Sequence, residues 1–189
     1  MPDNTDHDLL KIAKDAALAA GEAIMRLYDV GDFESYQKAD ESPVTSADYK
    51  ANEIITEHLT RLSPDIPILS EETKHASLEE RKTWQRYWLI DPIDGTQEFI
   101  ARSGDFAVNI ALIEDNKPKI GVIFWPPGQS LYYALAGHGA FKDSPETSGP
   151  ISVRKLDDPH NSVVILAISR RQPRERVISK LCAKRVYQT

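Results

Sequence analysis

The run Asp91-Pro92-Ile93-Asp94-Gly95-Thr96 holds the densest concentration of chemistry in the chain. Its two carboxylates can bind a hard cation. Pro92 fixes its φ and stiffens the turn. Gly95 lets the backbone approach a ligand closely. Thr96 brings a hydroxyl to a possible helix start, where free N–H groups favour phosphate. The same residue types also suit a plain β-turn followed by a helix cap, so this motif alone leaves both readings open.

A second acidic pair, Glu71-Glu72, follows a short apolar run. Carboxylates grouped at strand ends suit Mg²⁺, which takes about six oxygens near 2.1 Å and keeps several waters. An oxygen-only donor set disfavours Zn²⁺ and Cu²⁺. Acidic residues at this place also suit a helix N-terminus. The third candidate is Asp48 in Pro43-Val44-Thr45-Ser46-Ala47-Asp48. There Thr45 and Asp48 have capping-box spacing, which is a structural alternative to a role in chemistry.

Elsewhere the signals are weaker. His7, His58, His75, His138 and His160 are scattered, and no HExxH pair occurs. No Walker loop, nucleophile elbow or dinucleotide fingerprint is present. Arg170 and Arg171 follow an expected strand and could meet an anion, and the basic run 180–185 suits a solvated helix end.

The elements that must position these groups can be read from periodicity. Leu9, Ala13, Ala16, Ala20, Ala23 and Leu27 recur every three or four residues and predict a first helix, stopped at Gly31. A polar stretch spans 32–42. Ala47, Ala51, Ile54, Ile55, Leu59 and Leu62 predict a second helix from Thr45, closed by Pro64. Residues 66–70 read as a short strand leading into Glu71, with helix-compatible sequence through Glu80. Tyr87-Trp88-Leu89-Ile90 reads as a buried strand that ends abruptly at Asp91. Segments 106–113, 120–124 and 131–136 read as strands, with turns at 116–118, 126–128 and 137–139, giving an antiparallel meander. Residues 143–150 are polar and make the weakest point of the chain, while 151–153 could still belong to the sheet. A strand at 163–168 and a helix at 174–183 open a new βα unit.

Composition sets the outer limits. The chain has 189 residues, with 23 Lys+Arg against 29 Asp+Glu and a formal charge of −6. That length can bury roughly 70% of the unfolded surface, enough for a real core. With 41% hydrophobic and 28% charged residues, a collagen, a disordered tail and a disulfide scaffold are excluded. The single cysteine, Cys182, forbids an intrachain disulfide and fits a reducing compartment. No apolar run approaches the roughly 20 residues needed to cross a membrane, and the acidic N-terminus lacks a signal-peptide core. Net acidity argues against nucleic-acid binding. It also requires local cations wherever phosphate is handled.

The three motifs occur in the order Pro43–Asp48, Glu71-Glu72, Asp91–Thr96, and together they resemble the inositol monophosphatase superfamily of Mg²⁺-dependent, Li⁺-sensitive phosphatases. Trp84-Gln85-Arg86-Tyr87-Trp88-Leu89-Ile90-Asp91, Thr96-Gln97-Glu98-Phe99-Ile100, Phe106-Ala107-Val108-Asn109-Ile110-Ala111-Leu112 and Ile168-Ser169-Arg170 are similar to the CysQ-type 3′(2′),5′-bisphosphate nucleotidases of that superfamily. The resemblance runs from about residue 9 to residue 175. It implies an α/β fold of layered α+β type, the αβαβα sandwich. The N-terminal metal- and phosphate-binding domain would be 1–155, and 156–189 would start a truncated C-terminal α/β domain.

For the site, the resemblance implies two or more Mg²⁺ ions held by Glu71, Asp91, Asp94 and the Ile93 carbonyl. Asp48 and Thr96 would orient or deprotonate the attacking water, with Glu72 in support. Gly95 and Thr96 would bind phosphate, and Ser169 and Arg170 the substrate. The implied reaction converts adenosine 3′,5′-bisphosphate to AMP and phosphate, in sulfur assimilation and nucleotide recycling. An inositol phosphate substrate, or an inactive truncated fragment, is the alternative. The partner would be a phosphorylated small molecule, not nucleic acid, in a cytoplasmic setting with peripheral attachment to the cytoplasmic membrane face possible. Two departures stand out. The superfamily's C-terminal Trp-Asp motif has no counterpart after Trp84, Trp88 or Trp125, so one metal ligand and much of the nucleoside pocket are expected to be missing. Arg171 stands where some relatives carry His. A haloacid-dehalogenase phosphatase, which also uses Asp-Gly-Thr, would need a nucleophilic Asp where Pro92 stands.

Overall fold

Small apolar residues at helical spacing build two long helices that pack on one face of a sheet. The computed structural model describes residues 4–153 and residue 175. By its contacts the chain divides into Met1–Ser152 and Val153–Thr189, and the helix pair and the sheet belong to the first unit. Ser169, Arg170 and Arg171, the strand expected at 163–168, and the helix expected at 174–183 apart from residue 175, lie outside the described residues.

Helix α1, Asp6–Val30, starts with a capping box between Thr5 and Asp8 and stops at Gly31, whose φ of 74° suits glycine. It buries Leu9, Ala13, Ala16 and Ala20 as its periodicity predicts. Ile24 is also buried, while Ala23 and Leu27 are only partly covered. The close approach to the sheet depends on Gly21, where a Cβ would sit 2.2 Å from the Phe124 ring. Strands β1, Ser35–Gln37, and β2, Pro43–Thr45, pair antiparallel within the stretch that sequence reads as merely polar. Helix α2, Ser46–Leu62, begins at the Thr45 cap and buries Ala47, Ala51, Ile55 and Leu59.

Strand β3, Ile68–Ser70, precedes a loop and the single turn of α3, Leu78–Arg81, where sequence suggested a longer helical run. Strand β4 covers Arg86–Asp94 and is followed by the short helix α4, Thr96–Ile100. It does not end at Ile90, as the sequence reading expects, but carries both aspartates of the motif. Then come β5, Ala107–Glu114, β6, Lys117–Trp125, β7, Ser130–Leu135, β8, Gly139–Asp143, and β9, Ser148–Ile151. The first turn of the meander is Asp115-Asn116, both at positive φ, rather than 116–118. A two-residue turn of that kind matches the right-handed twist of its strands. The hairpin β8–β9 spans the segment expected to be the weakest point, because its main chain pairs from Asp143↔Ser148 to Ala140↔Ile151.

Among the described residues these strands form a mixed seven-stranded sheet in the order β3-β4-β5-β6-β7-β8-β9. Strand β3 is parallel to β4, and every later neighbour is antiparallel. Trp88, Ile90, Val108, Ile110, Leu112, Ile120 and Val122 alternate toward the helices and form the core. The indole N–H of buried Trp88 donates to Ser63 Oγ at 3.0 Å, which satisfies its polar handle. The layered α/β expectation holds in this unit: a helix pair on a mixed sheet. No helix among the described residues is long and apolar enough to cross a membrane.

Candidate functional site

Strand order brings the acidic motifs together. Strands β3 and β4 run parallel with Ser70 opposite Ile90. The next residues, Glu71 and Asp91, therefore emerge side by side, and Glu71 N donates to the Ile90 carbonyl at 3.2 Å. Across the other edge of β4, Asp91 stands opposite Asn109 of β5. Glu71, Asp91 and Asn109 line a cavity of about 530 Å³ on the sheet face away from the helices.

Asp94 reaches the same face through a β-bulge. In a regular strand, residues three apart point to opposite faces. Here β4 advances three residues from Asp91 to Asp94 while β5 advances two, from Asn109 to Ala107. The extra residue restores Asp94 to the outer face and leaves Pro92 and Ile93 buried. Asn109 Nδ2 then donates to Asp94 Oδ2 at 3.0 Å.

The following turn needs glycine. Gly95 has φ 96°, and a Cβ there would lie 2.8 Å from the Asp105 carbonyl oxygen. Thr96, just after it, donates its hydroxyl toward the Ile93 carbonyl at 3.1 Å and Asp48 Oδ1 at 3.0 Å. A single hydroxyl hydrogen is shared between, or alternates between, these acceptors.

The cap reading of Asp48 holds, and the same carboxylate also reaches the Asp91–Thr96 motif. Its Oδ2 accepts from Thr45 N at 2.8 Å and Thr45 Oγ1 at 2.5 Å, which completes the cap of α2. Its Oδ1 faces Thr96, so the residue is at once a cap and a neighbour of the Asp91–Thr96 motif. Asp48 is fully buried, and burial raises its carboxyl above the ordinary carboxylate range despite the bonds from Thr45 and Thr96.

Sequence reasoning missed two members of this cluster. Lys38, in the β1–β2 connection, sits 2.8 Å from Glu71 Oε1 and 2.7 Å from Glu72 Oε1. Burial pulls its ammonium down, but the bonds from Glu71 and Glu72 outweigh that and hold it above its usual range. The Glu72 side chain is 3% exposed, and its burial raises its carboxyl, opposed by Lys38. Asn109 is the second. Its only sequence signal is a polar amide among the apolar residues of 106–113. Glu72 is further tied by its N–H to Ser70 Oγ at 3.2 Å, and Ser70 Oγ donates to Asn52 Oδ1 at 2.6 Å.

The charge at the centre is uncompensated. Burial first, then the charges of Glu71, Asp94, Glu72 and Asp48, push the Asp91 carboxyl up to about 7. Asp91 Oδ1 and Asn109 Oδ1 are buried with no hydrogen-bond partner. Buried acceptors without partners cost stability and mark a place made for a donor or cation. Among the described residues no three carboxylates or imidazoles converge into a ready metal cage. These observations agree: like charges repel over several ångströms, whereas ligation needs contact near 2.1 Å. The donor set, all oxygen and largely anionic, fits Mg²⁺ or a similar hard cation.

Comparison with known proteins places this site in a family context. Residues 5–187 match the inositol monophosphatase family. The chain is 50% identical over 141 residues to the Salmonella typhimurium protein named 3′(2′),5′-bisphosphate nucleotidase CysQ, covering 74% of this chain and 56% of that one. It is 48% identical over 142 residues to the protein of the same name from Aggregatibacter actinomycetemcomitans, covering 75% of this chain and 52% of that one. The chain thus spans about half the length of the curated relatives it matches. The crystal structure of CysQ from Bacteroides thetaiotaomicron, described as a bacterial member of the inositol monophosphatase family, matches with a TM-score of 0.72 at 36% identity, over 93% of this chain and 68% of that one. From the ordered motifs, the layered fold and these matches together, the chain belongs to the inositol monophosphatase family.

Proposed function

We propose that this chain carries the cation- and phosphate-binding machinery of a Mg²⁺-dependent 3′(2′),5′-bisphosphate nucleotidase, which converts adenosine 3′,5′-bisphosphate to AMP and phosphate. The observation that carries the proposal is the Asp91 carboxylate. It is half-buried, in the field of four other carboxylates, and its buried Oδ1 lacks a hydrogen-bond donor. The names of the relatives at 48–50% identity supply the substrate class. In this reading residues 1–155 form the metal- and phosphate-binding domain and 156–189 begin a second α/β domain. A cytoplasmic setting fits the single cysteine.

Glu71, Asp91, Asp94 and the Ile93 carbonyl would hold the Mg²⁺ ions. When bound, Mg²⁺ activates water and neutralises charge on phosphate and leaving oxygen. The chain's own residues do the rest. Thr96 can donate to Asp48 Oδ1 while its oxygen accepts from the attacking water, which orients that water. The water's proton passes to Thr96 Oγ1 as the Thr96 hydroxyl proton passes to Asp48 Oδ1, and the raised Asp48 carboxyl makes it a better base than an ordinary aspartate. The cap held by Thr45 keeps Asp48 in one rotamer. Glu72 shares Lys38 with Glu71, which ties the two side chains together in support of the site. The Gly95-Thr96 turn meets phosphate, and Ser169 and Arg170 are proposed to contact the substrate.

The test is phosphate release from adenosine 3′,5′-bisphosphate by the 189-residue chain with Mg²⁺, with and without Li⁺. Mg²⁺-dependent, Li⁺-sensitive turnover that is lost in Asp91→Asn is the expected result. Turnover that Asp91→Asn leaves unchanged overturns the site. Preference for an inositol phosphate overturns the substrate.

A further inference from the structure

Asn109 stands directly opposite Asp91 in the β4–β5 pair, and its side-chain amide joins that position to Asp94. Opposed residues of an antiparallel pair share a face, with Cβ atoms about 5 Å apart. The orientation of the amide is fixed by chemistry. An ionised carboxylate only accepts, so the group facing Asp94 Oδ2 at 3.0 Å is Nδ2. That leaves Oδ1 turned away from Asp94, where it is buried with no hydrogen-bond partner. The Asp91 carboxylate across the strand pair also has a buried oxygen, Oδ1, without a partner. Both residues line the same cavity, together with Glu71. An asparagine used only to fill the sheet would not leave its carbonyl unsatisfied, because a buried acceptor without a donor is destabilising.

We propose that Asn109 is a positioning residue of the cation site: its Nδ2 fixes the Asp94 carboxylate, and its Oδ1 accepts a hydrogen bond from the hydration shell of the bound cation. The inference rests on the proposed Mg²⁺ site and extends it to a residue outside its carboxylates. Divalent ions in sites of this type keep several waters, and each such water needs an acceptor. Residues that hold a ligand from behind typically change metal affinity by about 10–100-fold when removed. An amide on a rigid strand, opposite one candidate ligand and donating its Nδ2 to another, is placed for that work.

The test is Mn²⁺ binding to the full 189-residue chain, followed by electron paramagnetic resonance of the free ion, which needs no turnover. Asn109→Leu keeps the volume and suits a strand while removing donor and acceptor. Asn109→Ala is the second variant. Both should bind Mn²⁺ about 10–100-fold more weakly than the unaltered chain, with melting temperatures in the presence of chelator that are unchanged or raised. Saturable binding that Asp91→Asn abolishes, but that both Asn109 variants retain within twofold, overturns the role of Asn109 and leaves the carboxylate site standing. Absence of saturable Mn²⁺ binding in the unaltered chain overturns the site and this role together. A fall in melting temperature in both variants with unchanged affinity assigns Asn109 to the sheet and overturns the proposal.

Discussion

Asp48 divides its carboxylate between two neighbours: one oxygen closes the cap with Thr45, and the other receives the hydroxyl of Thr96. Under the proposed function, position 48 serves stability and chemistry through different atoms. Asp48→Asn preserves shape but removes the base, so phosphate release should fall by about 10²–10⁴-fold with the fold retained. Asp48→Ala should lose the same activity and also about 1 kcal/mol of helix-cap stability. Paired rate and thermal-melt measurements check this. Equal melting temperatures for the two variants would refute the division of labour.

The Asp91 carboxyl gives the cation-free protein a specific pH dependence. Its folded value is about 7 against an ordinary 3.8. Between those pH values the folded state keeps a proton that the unfolded chain has released. The associated stability is fully present below about pH 4 and is lost as pH rises through 7. After discounting for solvent screening, the loss is on the order of 1–2 kcal/mol. With chelator present, Asp91→Asn should melt above the parent at pH 8 and show a flatter melting profile from pH 5 to 8. Parallel profiles for the two proteins would count against it.

Lys38 pairs with both Glu71 and Glu72 from the β1–β2 connection and offsets one of their two charges. Lys38→Met strands Glu72, whose side chain is 3% exposed, without its cation. The expected cost is about 2 kcal/mol in chelator, below the figure for a fully buried pair because Glu71 is half exposed. Mg²⁺ should recover part of it, giving a larger Mg²⁺-induced rise in melting temperature than in the parent. An equal rise in both proteins would show that Lys38 and the cation act on separate charges.

Gly95 combines a φ of 96° with a wall 2.8 Å from any Cβ, the Asp105 carbonyl. Gly95→Ala should destabilise by about 2–3 kcal/mol and reduce turnover with it. At Gly121, in β6, a Cβ would meet nothing within 4 Å, so Gly121→Ala serves as the tolerated control. Chemical denaturation of both variants measures the difference.

Much of this arrangement was legible in the sequence. The spacing of Leu9, Ala13, Ala16 and Ala20 gave α1, and Thr45 with Asp48 gave the start of α2, because caps and helical stripes are local signals. Glu71, Asp91, Asp94 and Thr96 were visible as candidates, and the structure brings them to one end of β3 and β4. What periodicity could not show was non-local. Lys38 reaches Glu71 and Glu72 across more than thirty residues, and nothing in its neighbourhood announces that. Asn109 acquires its meaning only from the register with Asp91. Strand β4 ran past Ile90 because its last residues pair through a bulge, where the alternation used to recognise strands breaks down. The β8–β9 hairpin was hidden because its strands are short and polar and are held by main-chain pairing.

The bulge in β4 also determines which genetic changes this chain can absorb. Substitutions at Pro92 or Ile93 alter packing but leave the count of residues intact. Deleting either one would erase the irregularity: Asp94, then two residues after Asp91, would stay on the outer face by plain alternation, but the strand would lose one of the two residues it buries there. An insertion between Asp91 and Asp94 would add a second unpaired residue to the bulge. The bulge thus lets two aspartates three residues apart share one face while both residues between them are buried, an arrangement that a change of chain length disturbs more than a point change at Pro92 or Ile93.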